Sequence, residues 1–528
     1  MKKFHITIFF VALAAVQLRA EKPRLVVNII VSQMRYDYLA RFGPGFVDGG
    51  FRRLTNKGML FTDAQYALAS TNTPATLATL FTGGCPDVHG VVGPQWIDYS
   101  NNRTVNLIED SRYAQLEGDG GRYSPLNLVV PNTGERLRSE NAKCKVVSIA
   151  IDPLSAIVMG GHGRDVYWLD RSRALWTSST ACMLSLPQWV ARYNHDRYGE
   201  RLVDWRWTPA RRLDRYANRE AKAIDLSDQR PTPRLKVPTS GEYEAIALKP
   251  CGNTLVKEFA KQAIIYEDLG RDEHTDLLNI CFDTPRYIGE RYGSGSMEIE
   301  DTFYRLDEDL AEFIDFVAAQ IPLKNVLFIL TSDHGACDAA ASTEAAAPEQ
   351  FNGDMFRLLV NGFLSAQYGA GEWAVGFIDG QLYLNRDLIL SRSLQLGEVQ
   401  SRVASFALQF RGISHTVTAT ALANSYFGGG YIGRMQRSYY PKRSGDVAVN
   451  LMPGWVYERP GVISQSGSLY DYDTHVPLIF FGSTIQHFTI ADRIDMCAVA
   501  PTLSAILGVG RPFICETPAI AQVVAQYR

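Results

Sequence analysis

Near its amino end the chain reads Leu25-Val-Val-Asn-Ile-Ile-Val31 and continues into Ser-Gln-Met-Arg-Tyr-Asp-Tyr-Leu39. An unbroken apolar and β-branched run of this kind is typical of a strand that helices cover on both faces, as in a parallel sheet. Val326 to Leu330 repeats the pattern, and the preceding segment, Glu300 to Ala319, carries apolar residues at helical spacing. We therefore predict an α/β fold with a mostly parallel central sheet and helices on both faces.

A second motif joins a hydroxyl to the start of a helix. The chain reads Thr73-Pro-Ala-Thr-Leu-Ala-Thr-Leu-Phe-Thr-Gly83, with proline in the first-turn position that suits it. In open α/β sheets, ligands bind where strand ends meet helix starts, and the positive end of the helix favours an anion. Thr73 is therefore a candidate functional residue. The alternative is that Thr73 only caps this helix.

Composition limits the class of protein. The 528 residues are 46% apolar and 21% charged, which is enough to bury a large core and far from disordered composition. A net charge of −3 and a pI near 6.3 give no overall attraction to nucleic acid or to an anionic membrane. We expect a globular protein without a nucleic-acid partner.

The first residues are typical of an export signal. Lys2 and Lys3 precede an apolar run from Ile6 to Val16, and Leu18-Arg-Ala20 ends in a small residue. We predict a cleavable signal peptide over residues 1–20 and a periplasmic or otherwise exported protein. The alternative, a retained anchor, has a run shorter than the roughly 20 apolar residues that a span needs. No transmembrane segment is expected after signal removal, and the eight cysteines would then permit one or two disulfides at most.

The predicted mature chain, residues 21–528, forms one α/β domain with two insertions. Residues 176–250 are rich in Trp, Arg, Tyr and Pro, and residues 351–454 mix short alternating segments with a Gly-rich loop. The two insertions either cap the functional edge of the sheet or are surface elaborations, since long loops are often but not always functional.

Several ordered motifs together resemble the alkaline phosphatase superfamily, and most closely the bacterial PafA-type phosphate monoesterases, whose nucleophile is a threonine. They are Met34-Arg-Tyr-Asp-Tyr-Leu39, Thr73, Thr82-Gly83, Pro86-Asp-Val-His-Gly90, Tyr287-Ile-Gly289, Asp333-His-Gly335, Ser444-Gly-Asp446, Pro453-Gly-Trp455, Tyr470-Asp-Tyr-Asp-Thr-His-Val-Pro477 and Ala500-Pro-Thr-Leu503. The likeness extends over nearly the whole predicted mature chain. It implies the superfamily fold, with Thr73 in the place of the nucleophile.

The resemblance also implies a centre of two zinc ions, because one metal activates the nucleophile while the other stabilises the leaving oxygen. At the implied ligand positions this chain has Ser32 in place of an aspartate, and Arg286 and Glu290 in place of an aspartate and a histidine. Arginine has no lone pair to offer a cation. Asp333, His334 and His475 remain as ligands, each with the alternative that it only makes structural hydrogen bonds.

A stable zinc site needs about four ligands, or three with water or substrate. We therefore expect either no metal or one weakly bound zinc at a relic site of Thr73, Asp333 and His334. At the second position only His475 persists, with Glu290 as a possible substitute ligand and Arg286 working against metal binding, and no two-zinc centre is expected.

The groups that bind phosphate are substituted as well. The resemblance places Pro94 where an asparagine contacts the phosphoryl group, and Asp152 and Leu154 where a Lys-x-Arg pair does. Proline has no amide donor, and a carboxylate repels a phosphoryl dianion.

Our leading hypothesis is an exported pseudophosphatase that acts as a binding or scaffold protein. One alternative is an active metal-dependent phosphate mono- or diesterase that uses Thr73 as its nucleophile. The other is a glycan- or envelope-binding module that uses the Trp- and Tyr-rich insertions. The sequence does not name the partner, for which an envelope protein or a glycan is the expectation.

Overall fold

A computed structural model describes residues 21–118, 120–203, 205, 207–217, 243–337 and 348–527. The predicted signal peptide lies outside the described residues, and so do residues 204, 206 and 218–242 of the predicted insertion at 176–250.

The strands alternate with helices along much of the chain. The strands are β1 Leu25–Val31, β2 Met59–Gln65, β3 Gln95–Asp98, β4 Arg103–Asn106, β5 Val146–Ala150, β6 Asp165–Asp170, β7 Leu175–Thr177, β8 Asp276–Phe282, β9 Val326–Thr331, β10 Glu349–Phe351, β11 Ala374–Ile378, β12 Gln381–Leu384, β13 Ile413–Thr418, β14 Val447–Leu451, β15 Trp455–Tyr457, β16 His475–Gly482 and β17 Phe488–Asp495. The α-helices are α1 Tyr38–Arg41, α2 Phe51–Lys57, α3 Thr73–Thr82, α4 Pro86–His89, α5 Thr133–Glu140, α6 Pro153–Gly160, α7 Gln188–His195, α8 Tyr198–Val203, α9 Cys251–Tyr266, α10 Thr284–Tyr292, α11 Met297–Gln320, α12 Gly353–Tyr368, α13 Arg386–Ser391, α14 Leu396–Ala407, α15 Ala419–Asn424, α16 Gly430–Arg437, α17 Asp471–Thr474, α18 Val499–Leu507 and α19 Ala521–Val524.

The central sheet has the order β17-β2-β16-β9-β1-β8-β5-β6-β7. Its middle strands are parallel, with Leu25 of β1 opposite Asp276 of β8 on one side and Val326 of β9 on the other. β16 runs antiparallel to both β9 and β2, and β7 runs antiparallel to β6. The predicted α/β fold with a mostly parallel sheet is confirmed.

The buried strand β1 shows why the sheet is covered on both faces. Leu25, Val27 and Ile29 pack into one hydrophobic core, while Val26 and Ile30 point into the other. Successive side chains of a strand alternate between its faces, so a wholly apolar run requires apolar layers on both sides. The predicted helix at 300–319 is also confirmed, as α11, which begins three residues earlier and ends one residue later.

A smaller sheet lies within the predicted insertion at 351–454. It has the order β11-β12-β14-β13 and packs with α12 and α14 around a hydrophobic core of its own, which includes Trp373 and Leu382. Gln381 and Leu382 of β12 pair with β14.

All eight cysteines are buried, and each has a free thiol in the structure. Within the described ranges, no helix is both long enough and apolar enough to cross a bilayer.

Candidate functional site

The candidate site lies at the carboxyl ends of the central strands. Ser32 directly follows β1, Asp333 and His334 lie just after β9, and Thr73 is the first residue of α3. Parallel strands end at the same edge of a sheet, which brings together residues that are far apart in the chain.

Asn72, not Thr73, caps helix α3. The Ala75 amide donates to Oδ1 of Asn72 at 3.0 Å, and Asn72 has the extended backbone of a cap residue. The alternative in which Thr73 only caps the helix is therefore wrong. Its hydroxyl instead faces the imidazole of His334, with Oγ1 3.1 Å from Nε2.

The imidazole of His334 is fully buried and has a fixed orientation. Its Nδ1 lies 2.7 Å from the Gly335 carbonyl, an oxygen that only accepts, so Nδ1 carries a proton and donates it. Nε2 then faces three oxygen atoms: Thr73 Oγ1, Asp333 Oδ2 at 3.2 Å and Ser466 Oγ at 3.4 Å. The structure therefore places Thr73 and Asp333 against the same nitrogen of His334.

The carboxylate of Asp333 is already bonded on both oxygens. Oδ2 accepts from the Ser32 hydroxyl at 2.8 Å, and Oδ1 accepts from the amides of Gln33 at 3.0 Å and His334 at 2.8 Å. Gln33 has a φ of 64°, in the left-handed region, as β1 turns and presents this amide to the carboxylate. Ser32 thus reaches the predicted site, but as a neutral donor to Asp333.

The structure does not bring the side chain of His475 into this group. His475 begins β16, where its Nε2 lies 2.8 Å from the Thr62 carbonyl and its ring stacks on Tyr36 with centroids 4.4 Å apart. Nε2 is therefore a donor to backbone, and it is not available as a metal ligand in this conformation. The neighbour that reaches His334 is Ser466.

Two of the three substituted charged positions, Arg286 and Asp152, form an ion pair. Nη2 of Arg286 lies 2.7 Å from Oδ2 of Asp152, and the Tyr287 hydroxyl donates to the same oxygen at 2.9 Å. Glu290 is also close, with Oε1 3.7 Å from Nη1 of Arg286. Only 14% of the Arg286 side chain and 18% of the Asp152 side chain are exposed. The pair is therefore held largely out of water.

The pKa shifts agree with a charged pair. Burial opposes the charge on both groups, but Arg286 holds the pKa of Asp152 below its usual value, and Tyr287, Glu290 and Asp152 raise that of Arg286 well above its own. Burial and then repulsion from Asp152 raise the pKa of Asp283 to about 6. Asp283 is held by the amides of residues 151 and 152 and by the Ser155 hydroxyl.

Asp152, Leu154 and Pro94 have structural roles. Oδ1 of Asp152 accepts from the Leu154 amide at 2.9 Å and so caps α6, and the Leu154 side chain packs against the second core. The Pro94 carbonyl accepts from the amide of Leu107 at 2.8 Å. None of the three offers a side-chain donor or a positive charge to a phosphate.

The residues present do not fit the two-metal centre that the resemblance implies. At the metal position beside Thr73, one carboxylate and one imidazole remain as ligands, and the groups that contact them are neutral hydroxyls. At the second metal position, the guanidinium of Arg286 occupies the place of a ligand. Among the residues that the structure describes, no three His, Cys, Asp or Glu side chains are grouped as metal ligands.

Sequence reasoning missed Ser466 and Asp283. Ser466 lies in a run of small polar residues, Ser464-Gln-Ser-Gly-Ser468, directly before the motif that drew attention to His475. Asp283 directly follows the buried strand β8, just as Ser32 directly follows β1. Its place at the end of a buried strand could have identified it from the sequence.

Comparison with known proteins establishes the family. The family model described as type I phosphodiesterase / nucleotide pyrophosphatase matches residues 26–459. This match spans most of the chain, and the chain belongs to that family.

Individual relatives show which members of the superfamily this chain is similar to. The chain is 30% identical to a protein of Myroides odoratus named calcium-transporting ATPase, over 95% of this chain and 94% of the relative. It is 29% identical to the alkaline phosphatase PhoV of Synechococcus elongatus, over 93% and 91% of the two chains. The crystal structure of wild-type alkaline phosphatase PafA matches with a TM-score of 0.88 and 27% identity, over 95% of this chain and 99% of that one. The chain is thus a PafA-like member of the alkaline phosphatase superfamily.

Proposed function

We propose that this protein is an exported, catalytically impaired relative of the alkaline phosphatases that acts as a binding or scaffold protein. The observation that carries the proposal is the ion pair between Arg286 and Asp152. Each residue stands where the resemblance expects the opposite charge, and each neutralises the other. The site therefore has a stable arrangement of its own that requires neither metal nor phosphate.

Electrostatics disfavour a divalent ion near Arg286. By Coulomb's law, a cation and a divalent ion about 4 Å apart repel by about 8 kcal/mol at an effective dielectric constant of about 20. Asp152 offsets part of this repulsion, but its oxygens already accept from Arg286, Tyr287 and the Leu154 amide. A metal would have to break these bonds before it could bind.

The hydroxyl of Thr73 has no strong activator. An unassisted threonine hydroxyl is a weak nucleophile, and activation requires a metal or a positioned base. Among the described residues, His334 is the base that contacts this hydroxyl, and its Nε2 also faces the carboxylate of Asp333 and the hydroxyl of Ser466. This arrangement supports a role in holding the loops together more than a role in turnover.

Turnover and metal content test the proposal together. Purified protein and its Thr73→Ala variant would be assayed with para-nitrophenyl phosphate and with bis-para-nitrophenyl phosphate, and zinc would be measured by elemental analysis. We expect less than one zinc per chain and no difference between the two proteins. Thr76→Ala is the matched control, because Thr76 lies in the same helix and bonds the carbonyls of residues 72 and 73. Two zinc ions per chain, with activity lost in Thr73→Ala and retained in Thr76→Ala, would refute the proposal.

An active esterase with one metal is the first alternative. It is favoured by the proximity of Thr73 Oγ1 and Asp333 Oδ2 to the same nitrogen of His334, at 3.1 and 3.2 Å. The same assays with added zinc or manganese decide between the two. Activity that depends on added metal and on Thr73 would establish the alternative.

A glycan- or envelope-binding module is the second alternative. A cavity between the small sheet and the candidate site has aromatic walls at Trp455, Tyr457 and Tyr472 and polar groups at Asn450 and Gln465. A ligand that binds only the folded state raises its melting temperature. A rise in melting temperature with cell-wall sugars but not with phosphate would favour this function. The rise should be lost in Trp455→Ala and retained in Tyr426→Ala, the control, because Tyr426 is 90% exposed.

A further inference from the structure

Two buried cysteines lie in contact on the far side of helix α3 from its start. The Sγ atoms of Cys85 and Cys497 are 3.3 Å apart, although the residues are 412 positions apart in the chain. Cys85 is 8% exposed and Cys497 is 2% exposed. Cys85 precedes helix α4, and Cys497 lies in the short 3-10 turn Met496–Ala498 before α18.

The backbone on both sides of this contact is held in place. Helix α3 ends at Gly83, which has a left-handed φ of 72°, and a Cβ there would lie 3.1 Å from the Cys497 carbonyl and 2.9 Å from the Cys515 thiol. The Cys497 amide donates to Oδ1 of Asp495 at 3.0 Å. Since a disulfide has an S–S bond of about 2.05 Å, the sulfurs must approach by a little over 1 Å, which is within reach of small side-chain rotations.

Four of the other thiols contact oxygen atoms instead of sulfur. Those of Cys281, Cys337, Cys251 and Cys515 are placed against oxygen atoms of Asp283, Ser464, Leu202 and Thr517 respectively. The contact between Cys85 and Cys497 is therefore a specific pairing of two sulfurs.

We propose that Cys85 and Cys497 form a disulfide in the exported protein. This proposal rests on the export part of the proposed function. In the reaction, a thiolate of one cysteine attacks the disulfide of an oxidised protein or of glutathione, and the thiolate of the other then displaces the mixed disulfide. The S–S bond forms, the two thiols lose two protons and two electrons, and the oxidant is reduced to two thiols. Because both sulfurs are buried, the bond forms during folding.

The bond would tie the segment behind the Thr73 helix to the start of α18. It would close a loop of most of the chain, and such a crosslink restricts the unfolded chain more than the folded one. The candidate site would then be held by a covalent link as well as by packing.

Peptide mapping tests the pairing without any variant. The full chain would be isolated from the periplasm of an expressing cell, unfolded in guanidinium without reductant, alkylated and digested. We expect a crosslinked peptide pair containing Cys85 and Cys497 and alkylation of the other cysteines. A second sample, reduced, unfolded and then refolded in a glutathione redox buffer, tests the geometry independently of export.

The outcomes separate the two proposals. Absence of the full chain from the periplasmic fraction, together with a crosslink in the refolded sample, overturns the export clause and supports the pairing. Free thiols at both positions in a chain recovered from the periplasm overturn the disulfide in the exported protein. Alkylation of both cysteines in both samples, or a crosslink from Cys497 to Cys515, overturns the pairing whatever the function. In a thermal scan, reduction should lower the melting temperature of the wild type and of Cys144→Ala by several degrees, but should leave that of Cys497→Ala unchanged.

Discussion

Arg286 and Asp152 lie 134 positions apart in the chain, and the guanidinium of one donates to the carboxylate of the other across 2.7 Å. A positive charge stands where the family implies a metal ligand, and a negative charge stands where it implies a phosphate-binding cation. Since each substitution alone would leave a buried charge without its nearest countercharge, the two are stable together.

This pairing predicts strong coupling in a double-mutant cycle. Arg286→Met and Asp152→Asn should each lower the free energy of unfolding by about 3 kcal/mol, because each leaves the partner charge buried without its nearest countercharge. The asparagine keeps the cap of α6. The double variant should recover about 1–3 kcal/mol relative to the sum of the single changes, as measured by denaturant unfolding.

The surface pair of Arg197 and Glu200, where 70% of the arginine side chain is exposed, is the control for this cycle. Its coupling should stay below about 1 kcal/mol. Strictly additive effects of Arg286→Met and Asp152→Asn would show that the ion pair contributes nothing to stability.

A second prediction concerns recovery of zinc binding. Ser32→Asp, Arg286→Asp and Glu290→His together should raise zinc uptake more than any single change, because ligands act as one coordination set. Elemental analysis after dialysis measures the effect, and no gain in the triple variant would mean that the positional mapping is wrong.

The raised pKa of Asp283 predicts a pH dependence of stability. An acid whose pKa is about 6 when folded and about 4 when unfolded binds more protons in the folded state between these values. The free energy of unfolding should therefore fall as pH rises from about 4 to about 6, by at most about 1.4 kcal/mol per pH unit from this group.

Asp283→Asn should remove this contribution, as read from urea unfolding at several pH values. The asparagine oxygen can still accept from the amides of residues 151 and 152. Asp48→Asn, on a side chain that is 92% exposed, should leave the slope unchanged. Equal slopes in the wild type and Asp283→Asn would contradict the prediction.

The cap of helix α3 supplies a fourth prediction. Asn72→Ala should lower the free energy of unfolding by about 1 kcal/mol, because the Ala75 amide loses its acceptor. Asn72→Asp should retain most of the stability, since aspartate caps equally well. Thermal unfolding of the variants measures the effect. If Asn72→Ala left the free energy of unfolding unchanged, another group would have to cap the helix.

The parts of the fold that were predicted correctly depend on local patterns. The apolar run over 25–31 identified β1, and the helical spacing over 300–319 identified α11, because burial on both faces and burial on one stripe leave different periods in a sequence. For the same reason, the sequence could predict that Thr73 starts a helix and that Asp333 and His334 follow a strand.

The direction of the His475 side chain could not be predicted from the local sequence. Strand β16 pairs with β2 and places His475 opposite Gln65, where its ring meets Thr62 and Tyr36. A strand register depends on the partner strand, and a change of one residue turns a side chain to the opposite face. A motif containing a histidine therefore could not tell whether that histidine faces the site.

The sequence by itself determined the family and the α/β architecture, because each of these depends on which residue types stand in an ordered set of motifs. Only the tertiary structure decided how the substituted residues are used. Arg286 could be recognised as a misfit from its type alone, but its pairing with Asp152 depends on the meeting of α10 with the start of α6. Contacts between distant segments are fixed by the packing of the whole chain, and that information is not present in any local stretch of sequence.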